Sequence, residues 1–239
     1  MSNSWYQSQP DYLANYAQHL LRWNKGINLV SRQNTNELLE DLFRQCSGGF
    51  SALWSHLEEK GLVPDPGPVN YFDLGSGGGI PGVIWHYHFC QKGARPQTCL
   101  VEPRDKRAWF LGRVPGDPSV TPFEVFQGRW AQDGWRLPQP HLGSKSNEAI
   151  YIVSLKALHL TDEEVLSGMV GAQGRVIIAR YYPSEQNLDA DLELHLGAGP
   201  ATARLLAGGH AWLAGGLEIL KWSKPGSREA CLVISSYSP

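Results

Sequence analysis

An α/β fold, with a doubly wound and mostly parallel sheet, is predicted by three observations. Short β-rich runs alternate with helical runs from Val69 onward, a glycine-dense turn follows the first of those runs, and two strand-like runs at the end lie close enough to form an antiparallel hairpin. Parallel strands need crossover segments, and the alternation supplies them.

The N-terminal part differs. In "DYLANYAQHLLRWNKGINLVS", residues Leu13, Tyr16, Ala17, Leu20, Leu21 and Asn24 recur at helical spacing, with Asp11 as the expected N-cap and Gly26 as the expected stop. A second helical stretch starts near "NTNELLEDLFRQC", capped by Asn34 or Asn36, with Leu38, Leu39, Leu42 and Phe43 as its apolar stripe, and "SALWSHLEEKG" continues the helical character. "GLVPDPGP" cannot extend a helix and reads as a linker. The expected division is therefore a helical extension over residues 1–62 and an α/β domain over residues 63–239. Within the latter, "VNYFDL", "QTCLVE", "FEVFQG", "AIYIVSL", "GRVIIAR", "LEILKW" and "EACLVIS" read as strands, and "IPGVIWHYHF" and "RDKRAWFLGRV" as intervening runs. The last two strands flank the turn-like "SKPGS", so a closing hairpin is expected at the sheet edge.

The 239 residues suit one sizeable domain with an appendage. A balance of 21 basic against 23 acidic residues gives a net charge of −2, so any nucleic-acid surface must be local. The four cysteines, Cys46, Cys90, Cys99 and Cys231, lack CxxC spacing, which argues against a zinc site and a disulfide framework. His86, His88 and Cys90 do not make a metal site either, because His88 points away from the face His86 and Cys90 share on a helix. The opening residues lack a signal-peptide pattern, and no apolar run reaches the roughly 20 residues of a membrane span. The expectation is a reduced, cytoplasmic, monomeric protein with no membrane partner and no metal.

"YFDLGSGGGIPG" carries the most chemistry. Gly75, Gly77, Gly79 and Gly82 let backbone amides and a helix N-terminus approach a ligand, and Pro81 suits the first helical turn. Glu102, at the end of the next strand run, is spaced to accept hydrogen bonds from a ribose. No Lys-Ser/Thr follows the glycines, which removes a phosphate-gripping loop. Asp73 in front repels pyrophosphate and can pair with an ammonium, so S-adenosylmethionine is favoured over NAD or ATP.

With "LLRWNKGINLVS", "DLGSGGGIPG" and "VEPRDKRAWFL" in that order, the chain resembles the bacterial small-subunit ribosomal RNA guanine-N7 methyltransferase G family, also called glucose-inhibited division protein B. Weaker echoes are "QGR", "GRVIIAR" and "SKPGSREACLVIS". The resemblance implies a class I, Rossmann-like methyltransferase fold with an N-terminal helical extension and S-adenosylmethionine as donor. It further implies that Gly75, Gly77 and Ile80 line the cofactor, that Glu102 holds the ribose, and that Trp130 and Ala131 flank the adenine. Lys106, Arg107, Arg129, Lys156 and Arg180 would face RNA, with ribosomal RNA or the small ribosomal subunit as partner. Three departures accompany it: Ala131 where the family usually has Glu, "SLKA" where it reads Ser-Arg-Ala, and Glu40 and Asp41 in place of a basic pair.

Guanine N7 carries an exposed lone pair, so its methylation needs alignment rather than a general base, and no catalytic residue is expected. Consistent with this, the Asn/Asp-Pro-Pro-Tyr motif of exocyclic-amine methyltransferases is absent. The expected activity is methylation of small-subunit ribosomal RNA at guanine N7. Two other readings stand beside it: the same donor with a small molecule or another RNA as acceptor, and a methyltransferase-like scaffold that binds without turnover. Trp130 also has a plain reading as a core residue, and Arg180 as a strand-end group bonded to nearby carbonyls.

Overall fold

A computed structural model describes residues 5–33, 35–62, 68–138, 149–182, 204–207, 210–222 and 230–238. A short 3-10 turn at Trp5–Ser8 leads into α1 (Asp11–Asn24) and α2 (Thr35–Glu59). Then follow β1 (Pro68–Leu74), α3 (Gly82–Gln91), β2 (Arg95–Val101), α4 (Asp105–Leu111), β3 (Glu124–Phe126), β4 (Ala149–Lys156), α5 (Asp162–Ser167), β5 (Gly174–Tyr182), β6 (Arg204–Ala207), β7 (His210–Trp222) and β8 (Ala230–Ser238). The strands form one sheet in the order β3-β2-β1-β4-β5-β8-β7-β6. Pairing is parallel from β3 to β5 and antiparallel beyond it. The chain winds outward from β1 to β3, crosses back to β4 on the other side of β1, and so places a topological switch between β1 and β4. In open α/β sheets, ligands bind at the strand carboxyl ends beside such a switch.

Burial alternates along the central strands. Tyr71, Ile152, Ile177 and Ile234 face one core, shared with α1, α2 and α3, while Phe72, Val153, Ile178 and Tyr237 face a second core with α5. Both sheet faces are thus covered, as a parallel centre requires.

Several local expectations need correction. Asp11 is the first residue of α1, and Pro10 occupies the N-cap without a side-chain hydrogen bond. Asn36 lies inside α2, which begins at Thr35; the alternative cap, Asn34, is outside the described residues, as is the "SKPGS" turn. Helix α2 runs unbroken through Gly48 and Gly49, although each glycine costs about 1 kcal/mol in a helix interior. The indole of Trp222 explains them: a Cβ on Gly48 would lie 2.5 Å from its Cδ1. The closing hairpin forms from β7 and β8, but β8 sits between β5 and β7, and β6 rather than the hairpin takes the edge. Pro81 is the N-cap of α3, one position before the expected place.

Candidate functional site

The turn after β1 lies at the switch. Gly75, Gly77 and Gly79 adopt φ values of +69°, +57° and +91°, a region that side-chain-bearing residues rarely enter. Gly75, Gly77 and Ile80 are partly open to solvent, whereas Gly79 is closed in. A Cβ on Gly79 would lie 2.7 Å from Val83 and 2.9 Å from the Tyr16 hydroxyl, so this glycine serves packing rather than ligand contact. Gly82 permits another close approach, since its Cβ would fall 2.5 Å from Asp73 Oδ2.

Glu102 closes the turn from the side. Its Oε2 accepts the Gly77 amide at 2.8 Å, and its Oε1 accepts the Arg104 amide at 2.9 Å. The carboxylate is 3% exposed, so it clamps the glycine loop and the entry to α4, with one lone pair remaining on each oxygen. Asp73 lies beneath the loop rather than on it. It is 1% exposed, and its Oδ1 accepts the Ser154 hydroxyl at 2.6 Å. Burial pushes its carboxyl up to about 6, against the pull of Ser154, Ser76, Lys156 and the Gly82 amide. This buried position does not present Asp73 to an ammonium on the open side of the loop.

The N-terminal helices complete the loop, which the sequence did not announce. Tyr16 of α1 donates to the Gly78 carbonyl at 2.5 Å. Asn24 accepts from the Leu29 and Val30 amides at 2.9 and 3.0 Å, folding the α1 exit back, and Leu29 packs where a Gly78 side chain would go. Arg107 of α4 donates to the Asn28 carbonyl at 2.8 Å, with its Nη1 3.7 Å from the site of a Gly77 Cβ. Arg107 is therefore a strut between α4 and the α1 exit, over the glycine loop. Tyr16, Asn24 and Asn28 all lie in the first helix and its exit, the segment carrying the first family motif.

The other expected cations separate. Lys106 and Arg129 are exposed. Lys156 is half-buried at the end of β4, its ammonium 5.6 Å from the Tyr181 ring centroid, and the turn behind it puts Ala157 at φ +55°. Arg180 is not on the cleft surface. It is 4% exposed, ion-paired to Asp162 of α5, and it donates to the Leu160 carbonyl at 2.6 Å. Tyr237 of β8 donates to the same Asp162. A buried carboxylate needed a partner, and Arg180 is that partner. The clue available was Thr161-x-x-Glu164, a capping box that starts α5 and so turns Asp162 inward.

The Trp130 side chain is likewise committed to the interior. Its Nε1 donates to the Val165 carbonyl at 2.9 Å, its ring meets Phe72 and Trp135, and a Cβ on Gly168 would lie 2.2 Å from its Cε2. The core reading holds for its side chain, and the next residue, Ala131, is exposed at φ +55°. In α3, His86 Nε2 donates to the Thr121 carbonyl at 2.7 Å while Nδ1 accepts from the Thr98 hydroxyl at 2.8 Å. Burial lowers His86 to about 4 and His88 to about 4. Among the described residues no group of His, Cys, Asp and Glu has the arrangement to hold a metal, and no helix is long and apolar enough to cross a membrane. A separate cleft of about 330 Å³ opens between Tyr12, Val114, Val120 and Phe123, with no glycine-loop residue in its wall.

The family model for rRNA small subunit methyltransferase G matches residues 9–138. The ribosomal RNA small subunit methyltransferase G of Nitratidesulfovibrio vulgaris is 32% identical over 121 residues, 49% of each chain. That of Rhodospirillum centenum is 33% identical over 113 residues, 46% of this chain and 45% of its own. The chain spans about half the length of the curated relatives it matches. Among solved structures, a SAM dependent methyltransferase of Aquifex aeolicus is similar over 76% of this chain and 87% of its own, at 10% identity and a TM-score of 0.43.

Proposed function

We propose that this chain, which belongs to the rRNA small subunit methyltransferase G family, is an S-adenosylmethionine-dependent enzyme that methylates guanine N7 in small-subunit ribosomal RNA. The observation that carries the reading is the glycine loop at the switch between β1 and β4, with Gly75, Gly77 and Ile80 open and Glu102 anchored at its side. These residues fit an adenosine ligand: Cβ-free backbone admits close approach, and Glu102 keeps acceptor capacity for ribose hydroxyls. When bound, S-adenosylmethionine supplies an electrophilic methyl group on sulfur.

The residues of this chain have the remaining tasks. Gly75, Gly77 and Ile80 line the donor, Glu102 orients the ribose, and the backbone at Trp130 and Ala131 borders the adenine. Lys156 presents a cation at the end of β4, suited to the guanine O6 or a phosphate, and Lys106 and Arg129 are free to take backbone phosphates. Arg180 and the Trp130 ring drop out of this set because Arg180 is buried on Asp162 and the Leu160 carbonyl, and the Trp130 indole on the Val165 carbonyl. N7 needs no deprotonation, so aligning nucleophile, methyl carbon and sulfur is the chain's main contribution to rate. Residues 1–62 act in this reading as an extension that braces the donor loop through Tyr16 and the α1 exit.

Calorimetry with S-adenosylmethionine, followed by transfer of labelled methyl to small ribosomal subunits from a strain lacking the native enzyme, tests the proposal. Binding, labelled RNA and its loss in Lys156→Ala are expected. Absence of donor affinity would sink every enzymatic reading, and labelled small molecules without labelled RNA would redirect the acceptor.

A further inference from the structure

Outside the donor loop, the strongest unassigned surface lies where the end of α1 meets α4. Residues 19–32 and 104–113 contain seven cations and a single acid, Asp105, in a chain whose net charge is −2. Arg107 is committed to the Asn28 carbonyl, but Arg22, Lys25, Arg32, Arg104, Lys106 and Arg113 are all exposed. None of these six joins an ion pair among the described residues. Asp105 is occupied by the Gln127 amide at 2.9 Å.

Large aromatic surface sits within this positive field. Trp109 is 38% exposed, one of the few large apolar side chains so open, and it meets the Trp23 ring edge-to-face at 4.8 Å. Trp23 in turn touches His19, which stacks on Phe110, so α1 and α4 are joined by an aromatic chain that fixes Trp109. The Arg113 guanidinium lies 3.8 Å from the Trp109 ring centroid, and its Nη1 donates to the Trp109 carbonyl at 3.4 Å. A planar cation already laid on an indole offers a preformed platform to an aromatic base, with little side-chain entropy left to lose. Arg113 follows two residues after the end of α4, the helix that carries Arg107 over the glycine loop.

We infer that the Trp109–Arg113 stack is a single-stranded RNA platform: one unpaired base rests on the stacked pair while the cations around it hold the adjoining phosphates. Duplex RNA keeps its bases stacked on one another and cannot use such a plane, whereas unpaired bases stack readily on aromatic and guanidinium faces. Only the placement of this platform as part of a methylation substrate site rests on the function proposed above. The surface chemistry itself selects single strands.

Fluorescence anisotropy with a labelled single-stranded oligoadenylate, at graded salt, is the test. Trp109→Leu, which keeps an apolar contact to Trp23 but removes the π-face, is expected to weaken binding about tenfold with an unchanged salt slope. Arg113→Gln loses both the plane and the positive charge, so it is expected to weaken binding similarly and to flatten the slope by up to about 0.7, the share of one neutralised phosphate on a single strand. Arg113→Lys keeps the charge and loses the plane, so it should retain the slope and still lose affinity. Arg113 is exposed, so its variants remain informative if Trp109→Leu is unstable. If Arg113→Lys binds like the unaltered protein, or if duplex RNA binds as tightly as the single strand, the platform is overturned. Failure of the enzymatic reading would look different: no donor binding or methyl transfer, with the RNA-binding losses intact.

Discussion

The two flanks of the switch between β1 and β4 are built on opposite plans. On the β1 side, the open surface is glycine-loop backbone, braced by Tyr16 from α1, Glu102 after β2 and, through the α1 exit, Arg107 of α4. On the β4 and β5 side, groups that look functional in the sequence are consumed by the interior: Arg180 pairs with Asp162, and Trp130, which follows β3, reaches across to fill the core against α5. Lys156 is the exception, held half-buried over Tyr181. Charged residues at strand ends are therefore a poor guide to a binding surface when a neighbouring helix buries an opposite charge.

The largest effect should come from breaking the second flank. Arg180→Leu leaves Asp162 buried without its cation and is expected to cost about 3–5 kcal/mol in urea unfolding. A loss under about 1 kcal/mol would mean that Arg180 is free after all, and the contrast between flanks would collapse. On the first flank, Gly82→Ala drives a methyl group against Asp73 and Leu100, and about 1–3 kcal/mol is expected, together with weakened donor binding by calorimetry.

The pH response divides along the same line, because Asp73, His86 and His88 all belong to β1 and α3. The histidines, lowered to about 4, refuse protons that the unfolded chain accepts below its ordinary imidazole range, so they make stability rise with pH from about 4 to 6.5. Asp73, raised to about 6, holds a proton that the unfolded chain releases, so it makes stability fall over about 4 to 6. Among these three, two groups against one leave a net slope of about 1.4 kcal/mol per pH unit, upward with pH, and His19, also lowered by burial, adds to the rise. Denaturant midpoints across that range measure it, and Asp73→Asn should steepen the rise. The smallest change is Tyr16→Phe, about 1 kcal/mol for one hydrogen bond, and it sharpens the comparison if the donor affinity falls several-fold alongside.

Much of the fold could be read from residue patterns because the central strands carry near-continuous apolar runs between helical crossovers, and "GSGGGIPG" leaves few conformational options. The shape of the glycine loop was readable for the same reason. What escaped were side-chain decisions made by distant partners. Arg180 depends on where α5 turns Asp162, Asp73 on Ser154 of the neighbouring strand, and Tyr16 on the loop it reaches across the core. The strand β6 also escaped, since "RLLA" is too short to show a period. Each of these is a long-range pairing that local spacing does not encode.

The hydroxyl of Tyr16 on the Gly78 carbonyl has a practical consequence for anyone cutting the chain. The proline-rich stretch after α2 looks like a natural place for scissors, yet a fragment starting there would lose the brace on its own glycine loop. The seam visible along the polypeptide does not exist in space, and the shortest piece expected to keep a formed loop begins before α1.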